Sequence, residues 1–125
     1  PKDAYDKWVE VVARGETPEK WGEQLWKGRC MSCHSIDGKD NTGPTWKDLR
    51  NRDSLFADGS KLTAAEKADT LVFENYVRES IREPGKRVIA GKGNNMTPFP
   101  PATLRDEQVD AIIAFMKTLS TPPVK

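Results

Sequence analysis

The chain is poor in metal-binding side chains and in long apolar stretches. It has two cysteines and one histidine among its 125 residues. A structural zinc site usually takes four cysteine or histidine ligands, so this set of three argues against one. No apolar run approaches the ~18 residues that a transmembrane helix needs, and no signal-peptide pattern opens the chain. Because the cysteine motif described below is normally completed outside the cytoplasm, we expect a mature or excised piece whose targeting segment or anchor is missing.

The chain also has no large excess of positive or of negative residues. The 20 Lys and Arg residues face 19 Asp and Glu residues, which leaves a formal net charge of +1. This balance argues against a nucleic-acid partner and against a strongly polarised membrane surface. The length fits a single domain that buries a modest core.

The most informative motif is Cys30-Met31-Ser32-Cys33-His34. Two cysteines at this spacing, followed at once by histidine, form the attachment site of a c-type haem, whose vinyl groups take both thiols as thioethers. A thioredoxin-like pair needs a βαβ context and no such histidine, and a disulfide would leave His34 without a role. The motif therefore predicts one covalent haem c, bound through Cys30 and Cys33.

The axial ligands follow from the scarcity of candidates. His34 is the only histidine, so it is the predicted proximal ligand, and the sixth ligand is methionine, lysine, water or none. Met31 lies between the cysteines and cannot reach the opposite haem face, while Met116 occupies an apolar helical position typical of core packing. Met96 lies in a Gly- and Pro-rich loop over 91–101, so we predict it as the distal iron ligand. Thioether ligation favours ferrous iron and raises the potential.

Apolar spacing predicts an all-α fold. Helices are expected over 3–14, from Thr17-Pro18 to Cys30, from a capping box at Thr63–Glu66, through Leu71–Ile81, and through Val109–Leu119, with Thr103 capping the last. Residues 35–62 read mainly as loop, without a convincing strand. We expect an N-terminal extension with a short amphipathic helix over 1–16, a haem domain over 17–120 and a tail over 121–125.

These residues together resemble class I cytochromes c over about 18–120. The resemblance is carried by Gly22-x-x-x-Trp26-x-x-x-Cys30, by Ile112, Ile113 and Phe115, and by Gly43-Pro44 after the haem motif. It implies a cytochrome c fold, with helices and loops wrapped around one covalent haem. It also implies that Gly22 permits close crossing by the last helix and that the Pro44 carbonyl accepts a hydrogen bond from the proximal imidazole.

The resemblance also implies haem-propionate partners, which we place at Trp46 and Tyr76, although the sequence does not decide which of them binds. Arg52, Arg78 and Arg87 are further candidates. Basic residues at Lys27, Arg29, Lys39, Lys86, Arg87 and Lys92 are expected near the haem edge, where they either steer an acidic partner or form an ordinary solvated surface.

A narrower resemblance concerns 76–84, 88–91 and 96–99, which are similar to the cytochrome c domain fused to subunit II of some haem–copper oxygen reductases. Residues 4–9 are similar to the end of the cupredoxin domain that precedes that cytochrome. This implies an electron-entry module that accepts electrons from a soluble carrier and passes them to the oxidase copper centre. We then expect no catalysis by this chain alone, and a periplasmic or extracytoplasmic location with the membrane reached only through the parent subunit.

Two alternatives remain open at this point. One is a free periplasmic cytochrome c that shuttles electrons between larger complexes. The other is a haem sensor or peroxidase in which Met96 is a labile ligand.

Overall fold

The computed structural model describes residues 17–93 and 96–121. The predicted helix over 3–14 and residues 122–125 of the predicted tail lie outside them. The described chain contains α1 (Pro18–Arg29), a 3-10 turn (Leu49–Asn51), β1 (Ser54–Leu55), β2 (Lys61–Leu62), α2 (Ala64–Lys67), α3 (Thr70–Arg82) and α4 (Asp106–Thr118). The predicted mainly helical fold is confirmed.

Helix α1 begins where the sequence predicts. The Thr17 hydroxyl accepts a hydrogen bond from the Lys20 amide at 3.2 Å, and Pro18 occupies the first helical turn, where its missing N–H is not needed. At the other end, the amide of Cys30 donates to the carbonyl of Trp26 and closes the helix. The first cysteine of the motif therefore lies at the C-terminus of α1.

Helices α1 and α4 pack closely at Gly22. A Cβ built on Gly22 would overlap the carbonyl oxygen of Ala111 and lie 2.8 Å from the Cβ of Phe115. The rings of Trp26 and Phe115 also meet, with centroids 5.8 Å apart. The expected crossing near Phe115 is present, and the closest backbone belongs to Ala111, which the sequence did not single out. Only glycine permits this approach.

The main core lies between α1, α3 and α4. Phe73 and Ile112 are fully buried there, and Trp46 and Leu49 close the core from the loop that follows the cysteine motif. Met116 is 3% exposed and belongs to this core, which confirms its predicted packing role.

The prediction of no strand was wrong between residues 54 and 62. Strands β1 and β2 pair antiparallel, with Ser54 opposite Leu62 and Leu55 opposite Lys61. The Asp58 carboxylate accepts from the amide of Ser60 at 2.9 Å and holds the turn between them. Each strand has only two residues, which is too short for the alternation of apolar and polar side chains by which a strand is predicted from sequence.

The helix caps are partly as predicted. Thr63 and Glu66 form the expected capping box at α2. Helix α4 begins instead after Arg105, whose amide donates to the Gln108 side chain at 2.8 Å. The expected cap at Thr103 was wrong, because Thr103 belongs to a turn that closes on the carbonyl of Pro100 and lies two residues before the cap position.

Candidate functional site

A cleft that is partly open to solvent lies between the cysteine motif, α3 and the loop over 91–101 in the described chain. Concave sites of this kind, with mainly apolar walls and a few polar groups, are where proteins bind small molecules and cofactors. The lining includes His34, Pro44, Trp46, Tyr76 and Met96, all of which the sequence predicts as site residues, together with the core residue Met116. The fold thus brings the two predicted iron ligands to one cavity.

The cysteine motif forms a compact turn after α1. The amides of Cys33 and His34 both donate to the carbonyl of Cys30, at 3.1 and 2.9 Å. The indole N–H of Trp26 donates to the carbonyl of His34 at 2.7 Å. These bonds tie the motif to the helix that precedes it and set the position of His34 in the cleft wall.

The imidazole of His34 is held in one tautomer. Its Nδ1 lies 2.9 Å from the carbonyl oxygen of Pro44, and a carbonyl can only accept, so Nδ1 carries the proton. The lone pair is then on Nε2. Burial lowers the pKa of His34 and the bond to Pro44 opposes this only in part, so the ring is neutral at pH 7. Trp46 stacks on the ring with centroids 5.5 Å apart. The neutral ring with its proton on Nδ1 is the form in which histidine binds a metal through Nε2.

No disulfide joins the two cysteines, of which Cys30 is buried and Cys33 half-buried. Burial raises the pKa of Cys30 to about 11, against a smaller lowering by Arg29. A reactive redox pair or a zinc ligand needs an accessible thiolate, so this environment disfavours both. Across 17–93 and 96–121, no three His, Cys, Asp or Glu side chains cluster to hold a metal ion. Neither cysteine lines the cleft itself, but both lie next to it, because His34 directly follows Cys33 and is part of the cleft wall.

The loop that carries Met96 is fixed by an arginine of α3. The Nη1 of Arg82 donates to the carbonyls of Phe99 and Leu104, at 2.8 and 2.5 Å, and its Nη2 pairs with Asp106 at 2.7 Å. The amide of Phe99 donates to the carbonyl of Ile81 at 2.9 Å. Met96 itself is half-buried and packs against the main core. The role of Arg82 was not predicted from the sequence, because its hydrogen-bond partners are backbone carbonyl groups, which every residue has.

Both predicted propionate partners lie in the cleft wall. Tyr76 is 6% exposed, and the side chains of Ser54 and Ser80 lie close enough to its hydroxyl to influence its pKa. Burial raises the pKa of Tyr76, and these two serines oppose the rise. Trp46 lies beside His34, so the two aromatic residues approach the cleft from different parts of the chain.

Of the three candidate arginines, only Arg87 lines the cleft. Its guanidinium lies 5.2 Å from the ring centroid of Tyr76 and is bonded to Glu79 at 2.6 Å. Arg78 pairs with Asp110 on α4 at 2.8 Å. Arg52 donates to the carbonyl of Thr45 at 2.5 Å. The expectation for Arg78 and Arg52 is therefore not supported, because neither side chain reaches the lining.

The basic residues expected at the haem edge are partly neutralised. Lys92 lines the cleft and pairs with Asp40 at 3.3 Å. Lys86 lies 3.9 Å from Glu79, and Lys27 lies 4.0 Å from Glu23. Pairs of this exposed kind contribute little stability, but they reduce the positive field that a partner would meet.

A family model described as "Cytochrome c" matches residues 20–120. The match spans the cysteine motif, the Gly43-Pro44 turn, Tyr76 and the Met96 loop. In the described part of the chain, no helix combines the length and the apolar character needed to cross a membrane.

Proposed function

The protein belongs to the cytochrome c family, and on that premise we propose that His34 and Met96 hold its iron and that the domain delivers electrons to a membrane-bound terminal oxidase. The family binds haem c covalently and uses it for electron transfer. When bound, haem supplies a one-electron ferric–ferrous couple.

The geometry around His34 carries the proposal. The bond from Nδ1 to Pro44 orients the ring, leaves Nε2 free to bind iron and makes the imidazole a stronger donor. Met96 borders the same cleft with a thioether, which favours the lower oxidation state. Two side-chain ligands of this kind leave no coordination position for oxygen or peroxide, so the pair fits electron transfer better than oxygen chemistry.

The oxidase role is supported by the position of three segments in the wall of the cleft. Residues 76–84, 88–91 and 96–99 carry the narrower resemblance to oxidase-fused cytochromes. Tyr76, Pro84, Val88, Ile89 and Met96, drawn from all three, line one cleft. The similarity therefore concerns the wall of the redox site, where potential and partner access are determined.

Replacement of Met96 tests the ligand assignment. In Met96→Ala we expect loss of the red charge-transfer band of sulfur-ligated ferric haem and rapid carbon monoxide binding by the ferrous protein. Met31→Leu is the matched control, because Met31 lies between the two cysteines but is 49% exposed. A wild-type ferrous protein that binds carbon monoxide rapidly would instead favour a sensor or peroxidase.

The oxidase role has its own test. We expect rapid electron transfer from the reduced protein to the isolated binuclear copper domain of an oxygen reductase subunit II. The rate should depend weakly on ionic strength, because the basic residues near the cleft are largely paired. Slow transfer to that domain, with fast transfer to other soluble redox proteins, would indicate a free shuttle.

A further inference from the structure

The ammonium group of Lys67, at the end of α2, is completely buried. Its Nζ donates to the carbonyls of Leu49 and Arg52, at 3.0 and 2.9 Å, and to the hydroxyl of Ser54 at 2.5 Å. All three donor positions are used and all three acceptors are neutral. In the part of the chain that the structure describes, no carboxylate lies within ion-pair distance of this Nζ.

The surroundings of Lys67 are mostly cationic. The buried guanidinium of Arg50 donates to the Lys67 carbonyl at 2.8 Å, and the charge of Arg52 lowers the pKa of Lys67. Arg87 also contacts the Tyr76 ring, with its guanidinium 5.2 Å from the ring centroid. The carboxylate of Asp53 raises the pKa, but it is bonded to the amide of Ala64.

Burial has the largest effect on Lys67 and lowers its pKa to about 8, from 10.5. A buried charge without a counter-charge is costly, and proteins retain one where an opposite charge compensates it. The chain itself provides no such partner in contact with Nζ among the described residues. Asp53 acts on the charge without contacting Nζ, and a bound anion would be a second source of compensation.

A path of polar contacts through Ser54 and Tyr76 connects this charge to the cleft. An ammonium has no lone pair, so Lys67 donates to Ser54, and the single proton of Ser54 is free for the hydroxyl of Tyr76. The Nζ also lies 5.4 Å from the Tyr76 ring centroid. Tyr76 lines the cleft, and so does Ser80, its other hydroxyl partner. Tyr76 has one hydroxyl proton, which either Ser80 or an acceptor in the cleft can accept.

We propose that Lys67, acting through Ser54 and Tyr76, is the buried counter-charge for a carboxylate of the bound cofactor and thereby sets its reduction potential. This rests on the proposed haem site. A positive charge disfavours the additional charge of ferric iron, so protonated Lys67 raises the potential. Lys67 is a positioning residue here, since it acts on the cleft through two other side chains.

The test measures the reduction potential of the holoprotein by spectroelectrochemistry. In Lys67→Met we expect the equilibrium constant for reduction to fall roughly three- to tenfold, where tenfold corresponds to about 59 mV for one electron. Lys61→Met is the matched control, because Lys61 is exposed on the adjacent β2, and its potential should equal that of the wild type.

Tyr76→Phe and Ser54→Ala interrupt the path but leave the charge in place. Each should lower the same equilibrium constant by a smaller factor, and Tyr76→Phe should have little further effect when combined with Lys67→Met. The wild-type potential should also fall with rising pH as Lys67 loses its proton, and that fall should be absent in Lys67→Met.

These outcomes separate the proposal from the function on which it rests. If folded Lys67→Met, Tyr76→Phe and Ser54→Ala all keep the wild-type potential, the proposal is wrong. If Lys67→Met does not fold, unchanged potentials in the other two are enough to overturn it. A wild-type protein without the visible spectrum of covalent haem would contradict the haem site itself.

Discussion

Gly43 lies directly against the imidazole of His34. A Cβ at this position would lie 2.7 Å from Nδ1 and 3.0 Å from Nε2 of the ring, closer than carbon and nitrogen can pack. The ring orientation is therefore determined by two neighbours, the carbonyl of Pro44 at its edge and the bare backbone of Gly43 beside it.

Gly43→Ala should disturb the histidine more than the fold around it. The added methyl would turn the ring away from Pro44 and break its hydrogen bond, at a cost of about 1–3 kcal/mol in unfolding free energy. Urea denaturation measures the stability, and the haem spectrum reports the ligand. An unchanged spectrum and midpoint would show that the ring has room to move.

Gly22→Ala should destabilise the protein through the crossing of α1 and α4. The methyl would meet the backbone of Ala111, which cannot rotate away, so we expect a loss of about 1–3 kcal/mol or more. Gly28→Ala is the control in the same helix. Nothing lies within 4 Å of a Cβ at Gly28, so that variant should be as stable as the wild type or gain up to about 1 kcal/mol. Equal stabilities of the two variants would refute the close crossing.

Arg82→Gln should loosen the loop that carries Met96. It removes hydrogen bonds to two carbonyls, which costs about 1–3 kcal/mol, and it should speed hydrogen exchange at the Phe99 amide. Asp106→Asn is the control, because the Asp106 side chain is 86% exposed and its ion pair with Arg82 is worth at most about 1 kcal/mol. If Asp106→Asn has the larger effect, the ion pair and not the carbonyl contacts holds the loop.

Lys67 should make stability rise with pH. Burial lowers its folded-state pKa to about 8, whereas the unfolded chain keeps its proton up to about 10.5. Between these values the unfolded state binds more protons, so each pH unit adds up to about 1.4 kcal/mol to the unfolding free energy. Denaturation from pH 7 to 10.5 should show that the unfolding free energy of the wild type rises relative to that of Lys67→Met, because the other titrating groups are common to both proteins.

A cofactor carboxylate near Tyr76 would favour the protonated form of Lys67 and raise its folded-state pKa. Stability would then begin to rise at a higher pH. Equal slopes in both proteins over the whole range would show that Lys67 does not titrate in this window.

The features found from the sequence are those with a local signal. The Thr17-Pro18 start and the Thr63–Glu66 box follow from interactions within one helical turn, so neighbouring residues are enough to predict them. The Gly43-Pro44 turn beside His34 was anticipated from the family resemblance.

The features missed depend on contacts between distant residues. The hairpin at 54–62 is held in part by the loop that follows α3, through a bond from the Ala57 amide to the carbonyl of Val88 at 2.7 Å. Arg82 and Lys67 bind backbone carbonyls, which no sequence pattern marks. At α4 the cap residue is Arg105, which has no hydroxyl, and the Gln108 side chain accepts from its amide, so an expectation based on serine or threonine named the wrong residue.

The contact between α1 and α4 also has a consequence for how the chain folds. It joins the first and last helices of the described chain, so nearly all of the intervening sequence must be closed into a loop before Gly22 meets Ala111. Closing this loop costs chain entropy before the packing of α1 on α4 compensates for it. Contacts between residues so far apart in the sequence slow folding. A nascent chain that ends before Asp106 lacks the partner of α1, so the domain should reach its native state only once its last helix has been synthesised.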